Sequence, residues 1–391
     1  MKKIAVITTT RAEFGLLMPV INELRKYENE TLKVELVVSG THLSEEYGHT
    51  VEEIVRSNIR IDQCIEIPVE SASATDISRN QAATLIQFTK LFAEQKYEAV
   101  MLLGDRYEML TIAVAAGNTH TPIFHLCGGD TTEGAMDEWI RHSITKMSYL
   151  HFVTNPESRN RVIQLGESPD RVFEYGSTSI DNVLQRSNMP VKEALSSLGL
   201  KSVENYAICT YHPVTMEGEG VERRVNDFLM AIKRFPEIQF IVTKSNADQG
   251  GARINELLDE ANEEIDNLHV FSSLGVVRYL SLMRYAKFVL GNSSSGIIET
   301  PAFGIPTVNI GDRQRGRLQA ESIINCEDDA QSIIEAIKKA LSEDVYAKCR
   351  LAVNPYGDGH AAEKIARKAV EIVLRGRIDL KKEFFDIRGD R

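Results

Sequence analysis

The sequence predicts an α/β protein built from two doubly wound, Rossmann-like domains whose ligand-binding edges face a cleft. The chain has 391 residues, which is more than one ordinary hydrophobic core accommodates. Short apolar runs rich in Val, Ile, Leu and Phe alternate with longer segments of helical periodicity throughout. That alternation is typical of parallel sheets covered by helices on both faces.

The predicted strands are short apolar runs bounded by polar or turn residues. In the first half of the chain they are KIAVI, KVELVV, AVMLL, PIFHL and YLHFVT. In the second half they are YAICT, FIVT, FVL and TVNI. Each half therefore carries enough strands for a separate sheet.

The predicted helices have apolar residues three and four positions apart. They include LLMPVINELRKY, NQAATLIQFTKLFAEQ, VNDFLMAIKRF and ARINELLDEANEE. The stretch that begins FEYGSTSIDN is turn-rich and weakly apolar, and a new strand follows it. We therefore expect a first domain at 1–180, a second at 181–362, and a C-terminal helical segment at 363–391 that crosses back to the first.

Composition excludes several classes of protein. The formal charge of −11 argues against a general nucleic-acid binder, which must neutralise phosphates. The five cysteines are scattered and no pair has CxxC spacing, so neither a zinc site nor a disulfide framework is predicted. The apolar stretch at the N-terminus fits a first strand rather than a signal peptide, and no run has the length of a membrane span. We expect a cytoplasmic protein with reduced thiols.

Polar clusters follow eight of the predicted strands, four in each half. They are Thr8 to Arg11, SGTH, Gly104-Asp105-Arg106, Gly128-Gly129-Asp130, Tyr211-His212-Pro213, Lys244-Ser245-Asn246, the serines from Ser293, and Gly311-Asp312-Arg313. Ligands of open parallel sheets bind beyond the carboxyl ends of the strands. One cluster would be ordinary turn chemistry, but eight predict two ligand-binding edges.

The segment GNSSSGIIETPAFG predicts an anion site at a strand-to-helix corner. The backbone amides at Ser293 and Ser294 would lie in the first turn of a helix, where donors lack partners and the dipole favours negative charge. Gly296 would let a phosphate approach the backbone, and Arg313 would reach the same diphosphate. We expect Glu299, one to two turns inside the helix, to bind ribose hydroxyls.

Three aspartates are candidate catalytic residues. Asp105 lies between a glycine and an arginine at a strand end, and Asp130 and Asp137 lie in the segment GGDTTEGAMDEWIRH. Crowded carboxylates can have their pKa values driven apart, as acid/base catalysis requires. Glu133, in the same segment, is expected to be a solvated or capping residue.

The remaining candidates are two separate histidines and three other polar residues that follow predicted strands. His212 is a candidate catalytic residue because it follows a strand of buried type, and His42 is a candidate substrate contact. Arg11, Arg106 and Asn246 are also expected to bind substrate. No pair of histidines has metal-ligand spacing, and GxGxxG is absent after the first strand, so neither a metal nor a nicotinamide cofactor is predicted.

The segments TTTRAEFGLLMPV, SGTHLSEEYGHTVEEI, LLGDRYEM, GGDTTEGAMDEWIRHSITKMSYLHF, RVIQLGE, YHPVTME, GNSSSGIIETPAFGIPTVNIGDRQRGR and FFDI carry a family resemblance. In that order they resemble the hydrolysing UDP-N-acetylglucosamine 2-epimerases of bacterial sialic acid and related nonulosonate biosynthesis. The resemblance implies a GT-B-type fold, a nucleotide-sugar substrate, no cofactor and a homodimer. It also implies the reaction of UDP-N-acetylglucosamine with water to give N-acetylmannosamine and UDP.

Two segments distinguish the hydrolysing branch from its relatives. Non-hydrolysing 2-epimerases usually have GTRPE near the start and THRREN after the first strand of the second domain, where this chain has TTTRAEFG and TYHPVTME. One departure concerns the double glycine, which many family members follow with glutamate and this chain follows with Asp130. A UDP- or GDP-linked 2,4-diacetamido-trideoxyhexose of the legionaminic acid route is therefore an alternative substrate.

The mechanism implied by the resemblance has two steps. A carboxylate removes the C2 proton while UDP leaves C1, and water then adds at C1 while C2 is reprotonated from the other face. Asp105, Asp130 and Asp137 could share the two acid/base roles, and His212 would lie near the diphosphate. Two other functions stay open at this point: a retaining glycosyltransferase of the same fold, and a nucleotide-sugar-binding regulatory module without turnover.

Overall fold

The computed structural model describes residues 1–45, 47–70, 73–131, 136–200, 203–213, 220–245 and 251–387, apart from the side chain of Ala252. The chain divides into two compact units. Unit 1 comprises Met1–Asp181 and Tyr356–Arg391, and unit 2 comprises Asn182–Pro355. Strands and helices are numbered in chain order, and each unit is described by itself.

Unit 1 is a parallel sheet covered by helices. Its strands are β1 Lys2–Thr8, β2 Leu32–Ser39, β3 Gln63–Ile65, β4 Ala99–Leu103, β5 Ile123–Leu126, β6 Leu150–Val153 and β7 Val172–Glu174. Its helices are α1 Arg11–Arg25, α2 Val51–Arg56, α3 Ala74–Gln95, α4 Tyr107–Asn118, α5 Met136–Met147, α6 Pro156–Gln164, the first part of α7 Thr178–Arg186, which continues into unit 2, and α15 Ala361–Arg375. Within the described residues the strand order is β3-β2-β1-β4-β5-β6-β7.

Unit 2 repeats this architecture. Its strands are β8 Tyr206–Thr210, β9 Gln239–Thr243, β10 Leu268–Phe271, β11 Val289–Gly291, β12 Thr307–Ile310 and β13 Ile323–Cys326. Its helices are α8 Val191–Ser196, α9 Val221–Lys233, α10 Gly251–Glu264, α11 Val276–Met283, α12 Ser294–Ile298, α13 Ala330–Ala340 and α14 Glu343–Leu351. In the described part of unit 2 the strands run β10-β9-β8-β11-β12-β13, all parallel.

The predicted fold class is confirmed, and all nine predicted strands are present. Four strands were not predicted: β3, β7, β10 and β13. Each is only three or four residues long and lies at an outer edge of its sheet. An edge strand is covered less completely, so its sequence lacks the continuous apolar run that marks a buried parallel strand.

The return of the chain to unit 1 begins earlier than residue 363, at Tyr356. The amide of Ser177 donates to the carbonyl of Tyr356 at 2.7 Å. The Asp181 carboxylate then caps α15, because its oxygens accept the amides of Ala361 and Ala362 at 3.2 and 3.0 Å. The apolar face of α15 packs into the core of unit 1 beside α1.

The segment expected to be a turn-rich linker contains two helices, α7 and α8. The chain passes from unit 1 to unit 2 inside α7. Periodicity is hard to detect in helices of nine and six residues, because so few turns are available to display it.

Each sheet has one topological switch point, where neighbouring strands lead to helices on opposite faces. In unit 1 it lies between β1 and β4, and in unit 2 between β8 and β11. Ligands of doubly wound sheets bind beyond the carboxyl ends of the strands at these positions. The clusters after β1 and β4, and those after β8 and β11, are therefore the first candidates for a site. No helix among the described residues combines the length and the apolar character that crossing a bilayer demands.

Candidate active site

The turn after β1 is fixed by a capping box at the start of α1. Thr10 is the N-cap residue, and its hydroxyl accepts the amide of Glu13 at 3.4 Å. The Glu13 carboxylate in turn accepts the amides of Thr9 and Thr10 at 2.8 and 3.1 Å. The end of β1 is therefore locked onto the first turn of α1.

The structure changes the role predicted for His42. The side chain is fully buried, with Nε2 3.0 Å from the Thr8 hydroxyl and Nδ1 2.8 Å from the Thr50 hydroxyl. Burial lowers the pKa of His42 to about 4, so the ring is neutral at pH 7. Both ring nitrogens are occupied, and His42 supports the end of β1 instead of presenting a nitrogen to substrate.

The two arginines predicted to bind substrate differ in their surroundings. Arg11 is exposed and lies 3.5 Å from the Glu53 carboxylate. Arg106 donates to the buried Glu108 carboxylate at 3.2 and 3.3 Å, a geometry that fixes its guanidinium at the start of α4. Arg11 is thus the more mobile cation and Arg106 the more ordered one.

Asp105 is held by a buried arginine that the sequence analysis did not single out. Arg141, on α5, is 4% exposed, and its Nε donates to Asp105 Oδ2 at 3.1 Å while Nη2 makes a second bond to the same oxygen. Its Nη1 donates to the carbonyl of Asp130 at 2.7 Å. One guanidinium therefore links the turns after β4 and β5.

Asp137 lies in the first turn of α5, four residues before Arg141. Burial raises the pKa of Asp137, the charge of Asp105 raises it further, and Arg141 opposes both effects. The charges of Asp105 and Arg141 therefore both act on Asp137. Asp137 holds a proton more readily than a free aspartate does.

Asp130 is committed to hydrogen bonds inside unit 1. Its Oδ1 accepts the hydroxyls of Thr154 at 2.9 Å and Ser158 at 2.5 Å. The preceding Gly129 has φ +83°, and a Cβ there would lie 2.2 Å from the Ser158 carbonyl. Glycine is required at this turn, and the Asp130 side chain is anchored through Oδ1.

At the switch point of unit 2, Asn292 joins the ends of β8 and β11. The amide of His212 donates to Asn292 Oδ1 at 2.7 Å, and Asn292 Nδ2 donates to the His212 carbonyl at 2.8 Å. The His212 ring is also restrained, with Nδ1 3.2 Å from the Ser245 hydroxyl. His212 is therefore an ordered residue at the edge predicted to bind the nucleotide.

Replacing Asn292 with alanine should destabilise unit 2 by about 2–4 kcal/mol, because it strands a buried N–H and a buried carbonyl of His212. Urea unfolding followed by circular dichroism would measure the change. Asn188→Ala is the matched control, since Asn188 is exposed and should change stability by less than about 0.5 kcal/mol. Equal losses in the two variants would show that Asn292 is not the clamp described here.

The serine turn after β11 differs in detail from the prediction. Helix α12 has only five residues, and Ser293 caps it by accepting the amide of Ser295 at 3.4 Å. None of the backbone hydrogen bonds outside helices and strands in the described chain uses the amides of Ser293 or Ser294. These two N–H groups, in half-buried residues, are the donors available to an anion.

Glu299 lies at the end of α12 and not one to two turns inside a longer helix. Its carboxylate accepts the Ser295 hydroxyl at 2.5 Å, and Ser295 in turn accepts the Tyr279 hydroxyl at 3.1 Å. Burial raises the pKa of Glu299. Glu299 is the C-cap residue of α12, and its predicted contact with ribose hydroxyls stays a prediction.

Gly296 lets α12 pack closely on β12, and its predicted approach to a phosphate stays a prediction. A Cβ at this position would lie 2.9 Å from Thr307 Cγ2, and the Thr307 hydroxyl donates to the Gly296 carbonyl at 2.8 Å. The residue is buried, so α12 rests directly on β12. Arg313 and Gln314 both donate to the carbonyl of Asn292, at 3.1 and 2.8 Å, which orders the loop after β12 around the same corner.

A polar cavity of about 640 Å³ opens beside Asn292 within unit 2. Its walls include Arg223, Arg224, Arg315 and Asn309.

Two residues named in the sequence analysis, Asn246 and Glu133, lie outside the described residues. Among the residues that are described, no group of three or more His, Cys, Asp or Glu side chains is arranged to hold a metal ion.

Comparison with known proteins identifies the family. The family model described as UDP-N-acetylglucosamine 2-epimerase matches residues 24–369. The chain belongs to the UDP-N-acetylglucosamine 2-epimerase family. It is 37% identical over 83% of its length to a protein of Campylobacter jejuni named GDP/UDP-N,N'-diacetylbacillosamine 2-epimerase (hydrolyzing), of which 84% is covered. It is 34% identical over 99% of its length to Polysialic acid biosynthesis protein P7 of Escherichia coli, of which 98% is covered.

Among solved structures, the fold resembles the UDP-GlcNAc 2-epimerase of Neisseria meningitidis bound to UDP-GlcNAc. The TM-score is 0.76 at 19% identity, with 95% of this chain and 100% of that chain covered. At 19% identity this likeness supports the fold alone, which consists of two Rossmann-like units.

Sequence reasoning missed two residues that organise the candidate site, Arg141 and Asn292. A signal for Arg141 was present, because it stands four residues after Asp137 and so shares a helix face with it. Asn292 was part of the predicted turn, but nothing in its neighbourhood indicated a clamp on His212. Both act through partners far away in the chain.

Proposed function

We propose that this chain is a hydrolysing 2-epimerase that converts UDP-N-acetylglucosamine and water into N-acetylmannosamine and UDP. The observation that carries the proposal is the group Asp105, Asp137 and Arg141 at the switch point of unit 1, in a chain of the 2-epimerase family. Inversion at C2 removes a hydrogen from one face and returns one to the other. That requires two acid/base groups, one to accept a proton and one to donate it.

Residues of unit 2 would stabilise the departing diphosphate. The C2 hydrogen is only weakly acidic, so much of the rate must come from stabilising the charge that develops on UDP. The amides of Ser293 and Ser294 and the guanidinium of Arg313 supply donors for it. His212, held by Asn292 and Ser245, would donate a hydrogen bond to the same group or carry a proton to it.

Residues of unit 1 would move the C2 proton. Asp105 is assigned the role of base: it takes the proton while the C1–O bond breaks and its electron pair leaves with UDP. The resulting 2-acetamidoglucal has a C1–C2 double bond. Water then adds its oxygen to C1 while Asp137, whose pKa is raised, donates a proton to C2 from the other face. The proton that water loses replaces the one given up by Asp137, and Asp105 releases the C2 proton to solvent, so both carboxyl groups return to their starting states. Arg141 keeps Asp105 directed and compensates its charge, and Asp130 fixes the adjacent turn.

A second substrate is favoured by two specific observations. The Campylobacter relative is named for N,N'-diacetylbacillosamine linked to GDP or UDP. Many family members have glutamate at the position of Asp130. The aspartate side chain is shorter by one methylene group, in the turn after β5. The same elimination and hydration on a 2,4-diacetamido-trideoxyhexose nucleotide is therefore the second candidate function, while the name of the Escherichia coli relative accords with the sialic acid route.

Incubation of the purified protein with each nucleotide sugar, without any acceptor, tests the proposal. Proton NMR should show free UDP together with the sugar of manno configuration from UDP-N-acetylglucosamine. Faster turnover of the diacetamido nucleotide, linked to UDP or GDP, would transfer the assignment to the second candidate. Release of a gluco-configured sugar, or no release from any of them, would contradict the epimerase reaction and favour a glycosyltransferase or a binding module.

The proposal includes a homodimer and a cytoplasmic location. Both are carried over from the family resemblance. Light scattering of the purified protein tests the first, and cell fractionation tests the second. A monomeric mass in solution would remove the homodimer from the account without affecting the chemistry.

A further inference from the structure

The mechanism above gives no role to the buried carboxyl group of Glu13, at the switch point of unit 1. The residue is 5% exposed. All three hydrogen bonds that it accepts converge on Oε2, from the Thr9 amide and hydroxyl, both at 2.8 Å, and from the Thr10 amide at 3.1 Å. Oε1 is buried and has no hydrogen-bond partner among the described residues.

The unpartnered oxygen faces the turn that carries Asp105. Gly104 has φ +109°, and a Cβ built on it would lie 2.9 Å from Glu13 Oε1 and 3.3 Å from its Cγ. Glycine is needed here both for the backbone conformation and for the close approach of the carboxyl. The Glu13 side chain therefore lies against the one residue that separates β4 from Asp105.

Burial and the nearby charged groups together set the pKa of the Glu13 carboxyl. Two charged side chains of α4 face it: Glu108, which is also buried, and Arg106, which is paired with Glu108. His42, on the segment after β2, is neutral and hydrogen-bonded to Thr8. The pKa of Glu13 is raised to about 7, mainly by burial; the charge of Glu108 also raises it, whereas the bonds from Thr9 and the charge of Arg106 lower it.

We propose that Glu13 is a positioning residue for Asp105: its uncharged carboxyl holds the end of β1 against the Gly104 turn, and ionisation of that carboxyl displaces the turn. This inference rests on the proposed function only in so far as Asp105 is the base. A carboxylate formed there would leave a bare anionic oxygen buried against the turn, near the charge of Glu108. Relief of that repulsion would move Gly104, and Asp105 with it.

Helix capping alone predicts something different. Glutamine serves in a capping box as well as glutamate does, since both accept the N-cap amide. If capping is the whole role, Glu13→Gln should resemble the wild-type protein at every pH. If the charge state matters, the variant should differ from wild type only where wild-type Glu13 is ionised.

The test compares wild-type protein with Glu13→Gln between pH 6 and pH 9. The ratio of kcat in the variant to kcat in wild type should rise by about tenfold across this range, with KM little changed, because only wild type acquires the buried charge. Asp76→Asn is the matched control: Asp76 occupies the same helical position in α3, where it accepts the Ser73 hydroxyl, but its side chain is 24% exposed and pairs with the exposed Arg79. Its ratio to wild type should stay constant.

A second measurement does not depend on turnover. The amide resonance of Gly104 should shift with pH in wild type, with a midpoint near the pKa of Glu13, and should stay constant in Glu13→Gln. If no nucleotide sugar is turned over but this titration is present, the proposed function fails and the coupling of Glu13 to Gly104 stands. If the Gly104 resonance behaves alike in both proteins, or the kcat ratio is independent of pH, the inference is overturned.

Discussion

Replacing Asp105 with asparagine is expected to lower kcat by about a thousandfold, since positioned general bases contribute about 10²–10⁴ to the rate. Asparagine keeps the size of the side chain and an oxygen that can accept the bonds of Arg141, so the fold should persist. The affinity for UDP should stay within about tenfold, or about 1.4 kcal/mol, because the residues assigned to the nucleotide belong to unit 2. Steady-state kinetics and calorimetric titration with UDP measure the two quantities.

Glu157→Gln is the control for this variant. Glu157 also pairs with an arginine of unit 1, Arg161, at 3.4 Å, but it lies on the surface. Its loss should change kcat by less than about twofold, in keeping with the small energies of exposed ion pairs. Wild-type activity in Asp105→Asn would remove Asp105 from the chemistry.

Replacing Arg141 with lysine is expected to be nearly as damaging, by a different route. A single ammonium cannot reproduce the fork that reaches Asp105 and the Asp130 carbonyl together. We expect kcat to fall by about a hundredfold, since the base would lose its fixed orientation. The free energy of unfolding should fall by about 2–3 kcal/mol, because a buried carbonyl is left unpaired. Kinetics and urea unfolding, followed by the fluorescence of Trp139 on the same helix, measure the two effects.

The stability control for Arg141 is Arg106→Lys. Arg106 also bonds a carboxylate, that of Glu108, but its side chain is 44% exposed. Lysine there should cost less than about 1 kcal/mol. If Arg141→Lys were as stable and as active as wild type, the link between the turns after β4 and β5 would have no role in the site.

The interior strands of each sheet could be predicted from the sequence, because buried parallel strands have nearly continuous apolar sequences. KIAVI and AVMLL became β1 and β4, which flank the switch point of unit 1. The edge strands β3, β7, β10 and β13 could not be predicted in this way, because one side of each is uncovered. The polar clusters after the interior strands were placed correctly for a simple reason: parallel strands end at the same edge of a sheet.

The partners within the site could not be predicted, because they are set by contacts between distant parts of the chain. Arg141 meets Asp105 across 36 positions, and Asn292 meets His212 across 80. Local sequence indicates that a residue is polar and follows a strand, but not which group it will face. For the same reason His42 was expected to contact the ligand, whereas packing turns it toward the protein interior.

The central claim is that this chain breaks the C2–H bond of a nucleotide sugar as UDP departs. Turnover of UDP-N-acetylglucosamine in heavy water, followed by NMR and mass spectrometry of the released sugar, tests it most directly. The account predicts N-acetylmannosamine with one deuterium at C2. Release of UDP with a sugar that keeps its original hydrogen at C2 would contradict it.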